Sequence, residues 1–125
     1  MEAMETDDAA VVATALDYFE GWFEGDSTRM DRALHPGLAK RSLSQVEPDS
    51  TELRSLTKDR MVELTAAGGG KGEIPDGGLR IDAEVVDLYG NIASVVIRSG
   101  VYREYLHLVR TDEGWKIVNA LWHFT

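Results

Sequence analysis

The chain has 125 residues, of which 43% are hydrophobic, no cysteine, and a formal net charge of −9. This length and apolar content suit a single domain over residues 1–125, and the lack of cysteine excludes both a disulfide framework and a thiolate metal site. The acidic excess argues against nucleic acid as a partner, because proteins bind phosphate backbones mainly through Lys and Arg.

The first ten residues, MEAMETDDAA, are acidic. A secretory signal instead begins with basic residues and continues into an apolar segment. No stretch of the sequence is long and apolar enough to resemble a membrane span. We therefore expect a cytoplasmic protein without a membrane partner.

The first predicted helix runs from about Thr6 to Gly25. Asp7 and Asp8 fall in its first turn, where negative charge suits the helix dipole, and glycine commonly terminates helices. Two adjacent rows of apolar residues predict a buried face about twice as wide as a surface helix needs. The rows are Val12, Leu16, Phe19 and Phe23, and Val11, Ala15, Tyr18 and Trp22.

A short second helix is predicted next. Asp26 or Ser27 can cap it, and it should end near Leu34, because Pro36 disfavours helix in the residue before it. The following segment favours two short strands around a turn. These predicted elements are the strands Leu38 to Val46 and Ser50 to Leu56 and the turn Glu47-Pro48-Asp49.

Thr57 can cap a third helix from Lys58 to Ala66. The segment Gly68 to Gly78 follows and is rich in glycine. It lacks the spacing of a phosphate-binding loop, so we interpret it as a mobile connection.

From Leu79 onward, apolar residues recur at every second position. This period is typical of strands with one buried face, and it predicts an antiparallel meander of four strands that ends in a hairpin around Asp112-Glu113. Helices first and strands last predict an α+β fold, in which N-terminal helices pack on one face of a curved antiparallel sheet.

Three histidines, His35, His107 and His123, are candidates for metal binding. With a two-residue hairpin turn, His107 lies opposite Val118, and His123 points to the other face of the sheet. With a three-residue turn, His107 lies opposite Asn119, and His123 is four residues further along the strand, roughly 13 Å away. Neither register makes a metal site, so we expect no metal, and nothing in the sequence predicts another cofactor.

In the first register, His107 shares a face with large side chains and one alanine. A small residue between larger ones leaves a concave space that a ligand or a helix could fill. His107 is then either a core histidine with a hydrogen-bonded neighbour or a polar group in a pocket. The face comprises Tyr105, His107, Val109, Val118, Ala120 and Trp122.

Tyr18 lies on the buried face of the first helix, opposite the sheet. A buried tyrosine normally finds a partner for its hydroxyl, so Tyr18 is either a satisfied core residue or a residue that directs its hydroxyl into the same pocket. Arg98 and Arg103 could hold an acidic ligand, although arginines on a solvated sheet face are commoner.

Three stretches resemble the nuclear transport factor 2-like superfamily, and more closely its putative lumazine-binding branch. They are YFEGWFEGD from Tyr18 to Asp26, SLTKDRMVEL from Ser55 to Leu64, and YREYLHLVRTDEGWKIVNALW from Tyr102 to Trp122. The resemblance covers residues 7 to 124. It implies a cone-shaped, cystatin-like fold with a pocket between the helices and the curved sheet.

Ketosteroid isomerase, an enzyme of that superfamily, offers a comparison by motif. Its oxyanion tyrosine falls on Tyr18 and its protonated pocket aspartate falls near His107, so both positions are polar here. Its general-base aspartate should fall near Leu43, where the sequence AKRSLSQ offers no carboxylate. Without a base the isomerase reaction has no proton acceptor, so the resemblance implies a pocket with polar groups and argues against isomerase activity.

We favour a small-molecule-binding domain that holds a planar, apolar or aromatic ligand. One alternative is an enzyme of the polyketide-cyclase or dehydratase kind, with His107 and Tyr18 as an acid–base pair. Another is a structural dimerisation module. The predicted ligand-binding residues are Tyr18, Trp22, Met61, Tyr105, His107, Val118, Ala120 and Trp122.

The second face of the sheet predicts a homodimer. If helices cover one face only, the other leaves more apolar surface in water than monomers usually expose. Packing of two copies sheet to sheet would bury it, with Arg103, Arg110 or Lys116 nearer the rim. The residues expected in the centre are Tyr102, Leu106, Leu108, Ile117 and Leu121.

Overall fold

The computed structural model describes residues 6–43 and 51–125. Within these two ranges the chain forms three α-helices and one six-stranded sheet. The helices are α1 (Asp7–Glu24), α2 (Ser27–Ala33) and α3 (Lys58–Ala66), and a short 3₁₀-helix (Lys71–Glu73) follows α3. The strands are β1 (Leu34–Leu43), β2 (Leu53–Leu56), β3 (Asp82–Tyr89), β4 (Ile92–Arg98), β5 (Tyr102–Thr111) and β6 (Gly114–Phe124).

The helices begin and end at local signals in the sequence. Thr6, Asp26 and Thr57 each accept a hydrogen bond from the backbone N–H three residues ahead, which satisfies a donor that the helix itself leaves free. Gly25 ends α1 with a φ of 70°, a conformation that glycine adopts without a steric penalty. All three predicted helices are confirmed, and α2 ends one residue before Leu34.

The strand order in the sheet is β2-β1-β6-β5-β4-β3. β3 to β6 form the predicted antiparallel meander, but β1 pairs with β6 in parallel. The predicted antiparallel sheet is therefore confirmed except at this junction, where the pairing is parallel. A period of two identifies a strand but does not specify the direction of its neighbour.

The first strand begins earlier than predicted, directly after α2. Its pairing with β6 is irregular between Leu34 and Ala39, so that Pro36 occupies a break in the ladder, where its missing N–H is tolerated. β2 begins at Leu53 instead of Ser50. The predicted turn Glu47-Pro48-Asp49 and the adjoining positions 44–46 and 50 lie outside the described residues.

The final hairpin turns at Asp112-Glu113 as predicted, with Thr111 opposite Gly114. A β-bulge around Val118 then inserts one extra residue into β6, so that Leu108 pairs with Ile117 whereas His107 pairs with Asn119. Successive side chains in a strand point to opposite faces. The extra residue therefore moves the rest of β6 to the face opposite the predicted one.

The inner face of the sheet packs against the helices and holds the core. α1 contacts β3, β4 and β6, and it brings two buried phenylalanines, Phe19 and Phe23, against the sheet. The prediction that Tyr102, Leu106, Leu108 and Ile117 form an exposed second face is wrong, because all four are buried beneath the helices.

The outer face carries the exposed apolar side chains. Leu121, the fifth residue of the predicted dimer centre, lies there with 51% of its surface exposed. Other large apolar residues are exposed on the same face. They are Leu43, Leu53, Tyr89, Ile92 and Tyr105.

Candidate functional site

A cavity of about 140 Å³ lies between the inner face of the sheet and the helices α1 and α3. Its lining residues differ in burial, and we call the buried ones the floor and the half-buried ones the rim. The floor consists of Tyr18, Phe19, Lys40, Met61, Tyr102 and Glu104. The rim consists of Trp22, Leu56, Leu64 and Trp122.

Three polar side chains, Tyr18, Lys40 and Glu104, meet at the floor, and we call them the polar triad. The Tyr18 hydroxyl donates to Glu104 Oε1 at 2.7 Å and accepts a hydrogen bond from Lys40 Nζ. Lys40 Nζ lies 3.8 Å from the same Glu104 oxygen. All three residues are buried, so each polar group depends on the other two for compensation.

The sheet topology brings the triad together. β1 and β5 flank β6, so Lys40 and Glu104 approach each other from either side of the same strand. Lys40 pairs with Ala120, and Glu104 pairs with Trp122. The small Ala120 side chain leaves room for the long Lys40 side chain to extend across β6, and Tyr18 reaches the pair from α1.

Burial perturbs the acidity of all three groups. It lowers the pKa of the Lys40 ammonium, and the carboxylates of Glu104 and Glu73 offset part of that change. It raises the pKa of the Glu104 carboxyl, against the opposing effects of Lys40 and the Tyr18 hydrogen bond. Burial and the nearby Glu104 also raise the pKa of the Tyr18 hydroxyl well above its usual value. For Lys40 and Glu104, burial thus favours the uncharged amine and carboxylic acid.

Aromatic rings surround the triad. Lys40 Nζ lies 4.9 Å from the centroid of the Tyr18 ring and 5.6 Å from the Trp122 ring. Tyr102 packs edge-on against Trp122 with 5.4 Å between ring centroids. The cavity thus combines aromatic and aliphatic walls with one polar position at the floor, an arrangement typical of small-molecule sites.

The 3₁₀-helix after α3 ties two cavity residues together. Glu73 accepts a hydrogen bond from Trp22 Nε1 at 2.9 Å and from the Tyr102 hydroxyl at 2.5 and 2.6 Å. Burial and this carboxylate raise the pKa of the Tyr102 hydroxyl. One carboxylate therefore holds a rim residue and a floor residue in place.

The glycine run before the 3₁₀-helix packs closely on Trp22. A Cβ atom at Gly69 would lie 2.8 Å from Trp22 Cη2, and one at Gly70 would lie 2.6 Å from Trp22 Cδ1. Only glycine allows the backbone to approach the indole this closely. The sequence predicts a mobile connection here and gives no indication of this packing.

The structure places the predicted binding residues in two separate regions. Four of them, Tyr18, Trp22, Met61 and Trp122, line the cavity. Ala120 is buried beside it on the inner face. The prediction of one shared pocket is wrong for the remaining three, because with the bulge in β6 they lie on the face of the sheet opposite the cavity. Those on the outer face are Tyr105, His107 and Val118.

His107 lies in an outer-face groove of about 330 Å³. It is exposed, and its Nδ1 atom is 3.2 Å from Asn119 Nδ2. Tyr18 is buried on the opposite side of the sheet. The prediction of an acid–base pair formed by His107 and Tyr18 is therefore wrong.

The other candidate groups also lie outside the cavity. His35, His107 and His123 belong to three different strands, and within residues 6–43 and 51–125 no three His, Cys, Asp or Glu side chains are grouped so that they could hold a metal ion. Arg98 forms surface ion pairs with Asp82 and Glu84. Arg103 is exposed on the outer face.

Lys40 and Glu104 were not predicted as site residues. Glu104 occupies an otherwise apolar row of β5, between Tyr102 and Leu106. A carboxylate within an apolar row is a signal of a buried polar site, but the row was assigned to the wrong face. Lys40 carries no comparable signal, because its environment depends on the unpredicted parallel pairing of β1 with β6.

Comparisons with known proteins agree with this architecture. The family model described as putative lumazine-binding matches residues 6–123. No curated protein matches the chain at a significant level.

No helix within the described part of the chain is both long enough and apolar enough to cross a membrane.

Solved structures show the same fold at low sequence identity. An NTF2-like protein of unknown function from Shewanella baltica has a TM-score of 0.73 and 17% identity, over 100% of this chain and 98% of that one. A domain of unknown function with a cystatin-like fold from Nostoc punctiforme has a TM-score of 0.64 and 16% identity, over 98% and 80%. A ketosteroid isomerase-like protein from Erwinia carotovora atroseptica has a TM-score of 0.65 and 14% identity, over 97% and 98%.

These identities establish a shared fold and nothing about activity. They confirm the predicted α+β architecture of N-terminal helices on a curved, mostly antiparallel sheet. With nearly its whole length matched by the family model, the chain belongs to the putative lumazine-binding family, and it shares its fold with NTF2-like proteins.

Proposed function

We propose that the protein binds a small flat compound in the cavity between α1, α3 and the sheet. The ring of the compound would lie between the aromatic walls, and one polar group would contact the polar triad. The buried triad is the observation that supports this most, because Lys40 and Glu104 sit at the floor of an otherwise apolar cavity. A buried ion pair is weak evidence for stability, since apolar residues in its place are often as stabilising or more so.

The volume of the cavity limits the size of the ligand. About 140 Å³ is close to the roughly 150 Å³ of an engineered cavity that binds benzene, and below the roughly 300 Å³ of most ligand pockets. One six-membered ring would fit the cavity as it stands. The two-ring lumazine in the family name would require rim residues such as Trp22 and Trp122 to move outward.

The triad also limits the charge of the ligand. A lysine ammonium has three donors, and Tyr18 accepts one from Lys40. Tyr18 uses one oxygen of Glu104, and no described residue donates to the other. A neutral group that both donates and accepts, such as a hydroxyl, would use this remaining capacity. The Glu104 carboxylate would repel an anionic group, and the Lys40 ammonium would repel a cationic group.

Calorimetry and thermal unfolding with three matched compounds test the proposal. Benzyl alcohol should bind and raise the Tm, because a ligand that binds only the native state stabilises it. Benzoate and benzylamine, which carry a negative and a positive charge on the same ring, should bind more weakly. Lumazine tests whether the rim opens for two rings.

Two tryptophan variants separate the cavity from the rest of the surface. Leu64→Trp enlarges a rim residue and should abolish binding of benzyl alcohol. Leu121→Trp makes the same change on the outer face and should leave binding intact. The proposal fails if none of the compounds binds, or if both variants lose binding equally.

We also propose that two copies associate through the outer face. Leu43, Leu53, Tyr105 and Leu121 lie on neighbouring strands, each at least 42% exposed, around an apolar groove of about 340 Å³. Contiguous apolar patches of this kind commonly mark protein interfaces. A two-fold axis through the patch would pair it with its own copy and cover the exposed side chains on both.

A further inference from the structure

We infer that Lys40 forms a reversible imine with an aldehyde bound in the cavity, an inference that rests on the proposed function. Its Nζ atom lies at the floor, in hydrogen-bond contact with the Tyr18 hydroxyl and 3.8 Å from the Glu104 carboxylate. Imine formation requires a nucleophilic amine and a nearby acid, and both groups are buried here at the end of an apolar cavity.

Lys40 differs from the other lysines of the chain. Lys71 is exposed, Lys58 pairs with Asp31 at 3.4 Å, and Lys116 donates to a backbone carbonyl at 2.6 Å. None of these three lines the cavity. Burial lowers the pKa of the Lys40 ammonium, which increases the fraction of free amine available for attack on a carbonyl carbon.

The reaction begins when a proton moves from the Lys40 ammonium to the Glu104 carboxylate, which gives the free amine and the protonated acid. The Lys40 amine adds to the aldehyde carbon to form a C–N bond, and one amine proton moves to the former carbonyl oxygen, giving a carbinolamine. Protonated Glu104 then donates its proton to the carbinolamine hydroxyl, and the C–O bond breaks to release water. The products are an iminium ion on Lys40, the Glu104 carboxylate and one water molecule, and the reverse reaction is hydrolysis.

The surroundings suit that product. The iminium cation would lie beside the Glu104 carboxylate and close to the rings of Tyr18 and Trp122, which already lie 4.9 and 5.6 Å from Lys40 Nζ. Tyr18 is a positioning residue, because its hydroxyl bonds to both reacting groups. The cavity volume of about 140 Å³ restricts the aldehyde to one that carries a single ring or a short chain.

Reductive trapping on the full chain tests the inference. The protein is incubated at neutral pH with benzaldehyde and cyanoborohydride, which reduces an iminium to a stable amine, and labelled lysines are located by peptide mass mapping. Lys40 should gain a benzyl group faster than exposed Lys71, because burial lowers the pKa of the Lys40 ammonium and Glu104 lies beside it as the acid. Excess benzyl alcohol should slow labelling of Lys40 but not of Lys71.

One variant and the competition with benzyl alcohol test whether Lys40 is labelled in the cavity with Glu104 as the acid. Glu104→Gln retains a hydrogen-bond acceptor for Tyr18 but cannot supply the proton, so it should slow the labelling of Lys40. Labelling of Lys40 that is no faster than that of Lys71, or that benzyl alcohol does not slow, would overturn the imine. If calorimetry still shows benzyl alcohol binding in that case, only the imine fails. If benzyl alcohol does not bind either, the proposed function fails as well.

Discussion

The two faces of the sheet depart from the usual distribution of side chains in opposite ways. The inner face buries Lys40 and Glu104, whereas the outer face exposes Tyr105 and Leu121. Lys and Glu are among the residues least often buried, and contiguous large apolar side chains are seldom left in water. Stability alone favours neither arrangement. The comparison therefore suggests that the inner face is suited to a polar group of a ligand and the outer face to another apolar surface.

Loss of one member of the triad should have the largest effect on stability. Lys40→Met leaves the Glu104 carboxylate buried without a countercharge, and we expect it to lower the free energy of unfolding at neutral pH by about 3–5 kcal/mol. Urea denaturation measures this loss. Lys71→Met, at an exposed lysine, is the matched control and should stay within about 0.5 kcal/mol of the natural chain.

The loss in Lys40→Met should depend on pH. The Lys40 charge lowers the pKa of Glu104, so its removal raises that pKa further above the usual 4.5. A carboxyl whose pKa is raised on folding contributes stability that is complete below pH 4.5 and is lost as the pH rises through the folded-state pKa. The difference between variant and natural chain should therefore shrink as the pH falls from neutral toward 4.5. A difference independent of pH would mean that Glu104 is not the group left unpaired.

Replacement of the whole triad should restore stability and weaken ligand binding. In Tyr18→Phe/Lys40→Met/Glu104→Leu no buried polar group remains without a partner, so we expect the variant to be more stable than Lys40→Met by about 3 kcal/mol or more. It should also bind benzyl alcohol more weakly than the natural chain does. If the triple variant is as unstable as the single one, folding itself requires the triad, and the contrast between the two faces loses its functional meaning.

Removal of the Glu73 carboxylate, which ties the rim to the floor, should have a smaller effect on stability. Glu73→Ala leaves Trp22 Nε1 and the Tyr102 hydroxyl without their shared acceptor, and we expect a loss of about 1–3 kcal/mol in unfolding free energy. Asp76→Ala changes an exposed carboxylate on the same loop and is the control. Binding of benzyl alcohol should weaken only in Glu73→Ala, because only that substitution releases the cavity wall.

The parts of the fold that depend on residues close together in the sequence were predictable. Thr6, Gly25 and Thr57 mark helix ends because capping hydrogen bonds and left-handed glycine act within a few residues. The alternation after Leu79 predicted the meander for the same reason. Both signals can be read without any knowledge of what packs against the segment.

The site depends on contacts between distant residues. One inserted residue at Val118 determines which side of the sheet half of β6 faces, and nothing in its immediate sequence marks a bulge there. Lys40 reaches the triad only because β1 runs parallel to β6. The alternation pattern therefore showed that β5 has two faces, but it could not show that the face with Glu104 is the one beneath the helices.

A charged substitution on the outer face should give the smallest change in folding stability and the clearest change in the mass of the particle in solution. Leu121→Glu places a charge on a side chain that is 51% exposed, so an isolated protomer should lose no more than about 0.5 kcal/mol. In a dimer formed through this patch the same charge would be buried without a partner, and light scattering should report a monomer. Val86→Glu, at a 56% exposed position on edge strand β3, is the control and should keep the mass of the natural chain. Leu106, which the sequence predicts in the dimer centre, is unsuitable for this test, because it is 1% exposed and a charge there would disrupt the core. A natural chain that is already monomeric at high concentration would show that the exposed apolar side chains of the outer face do not pair with a second copy.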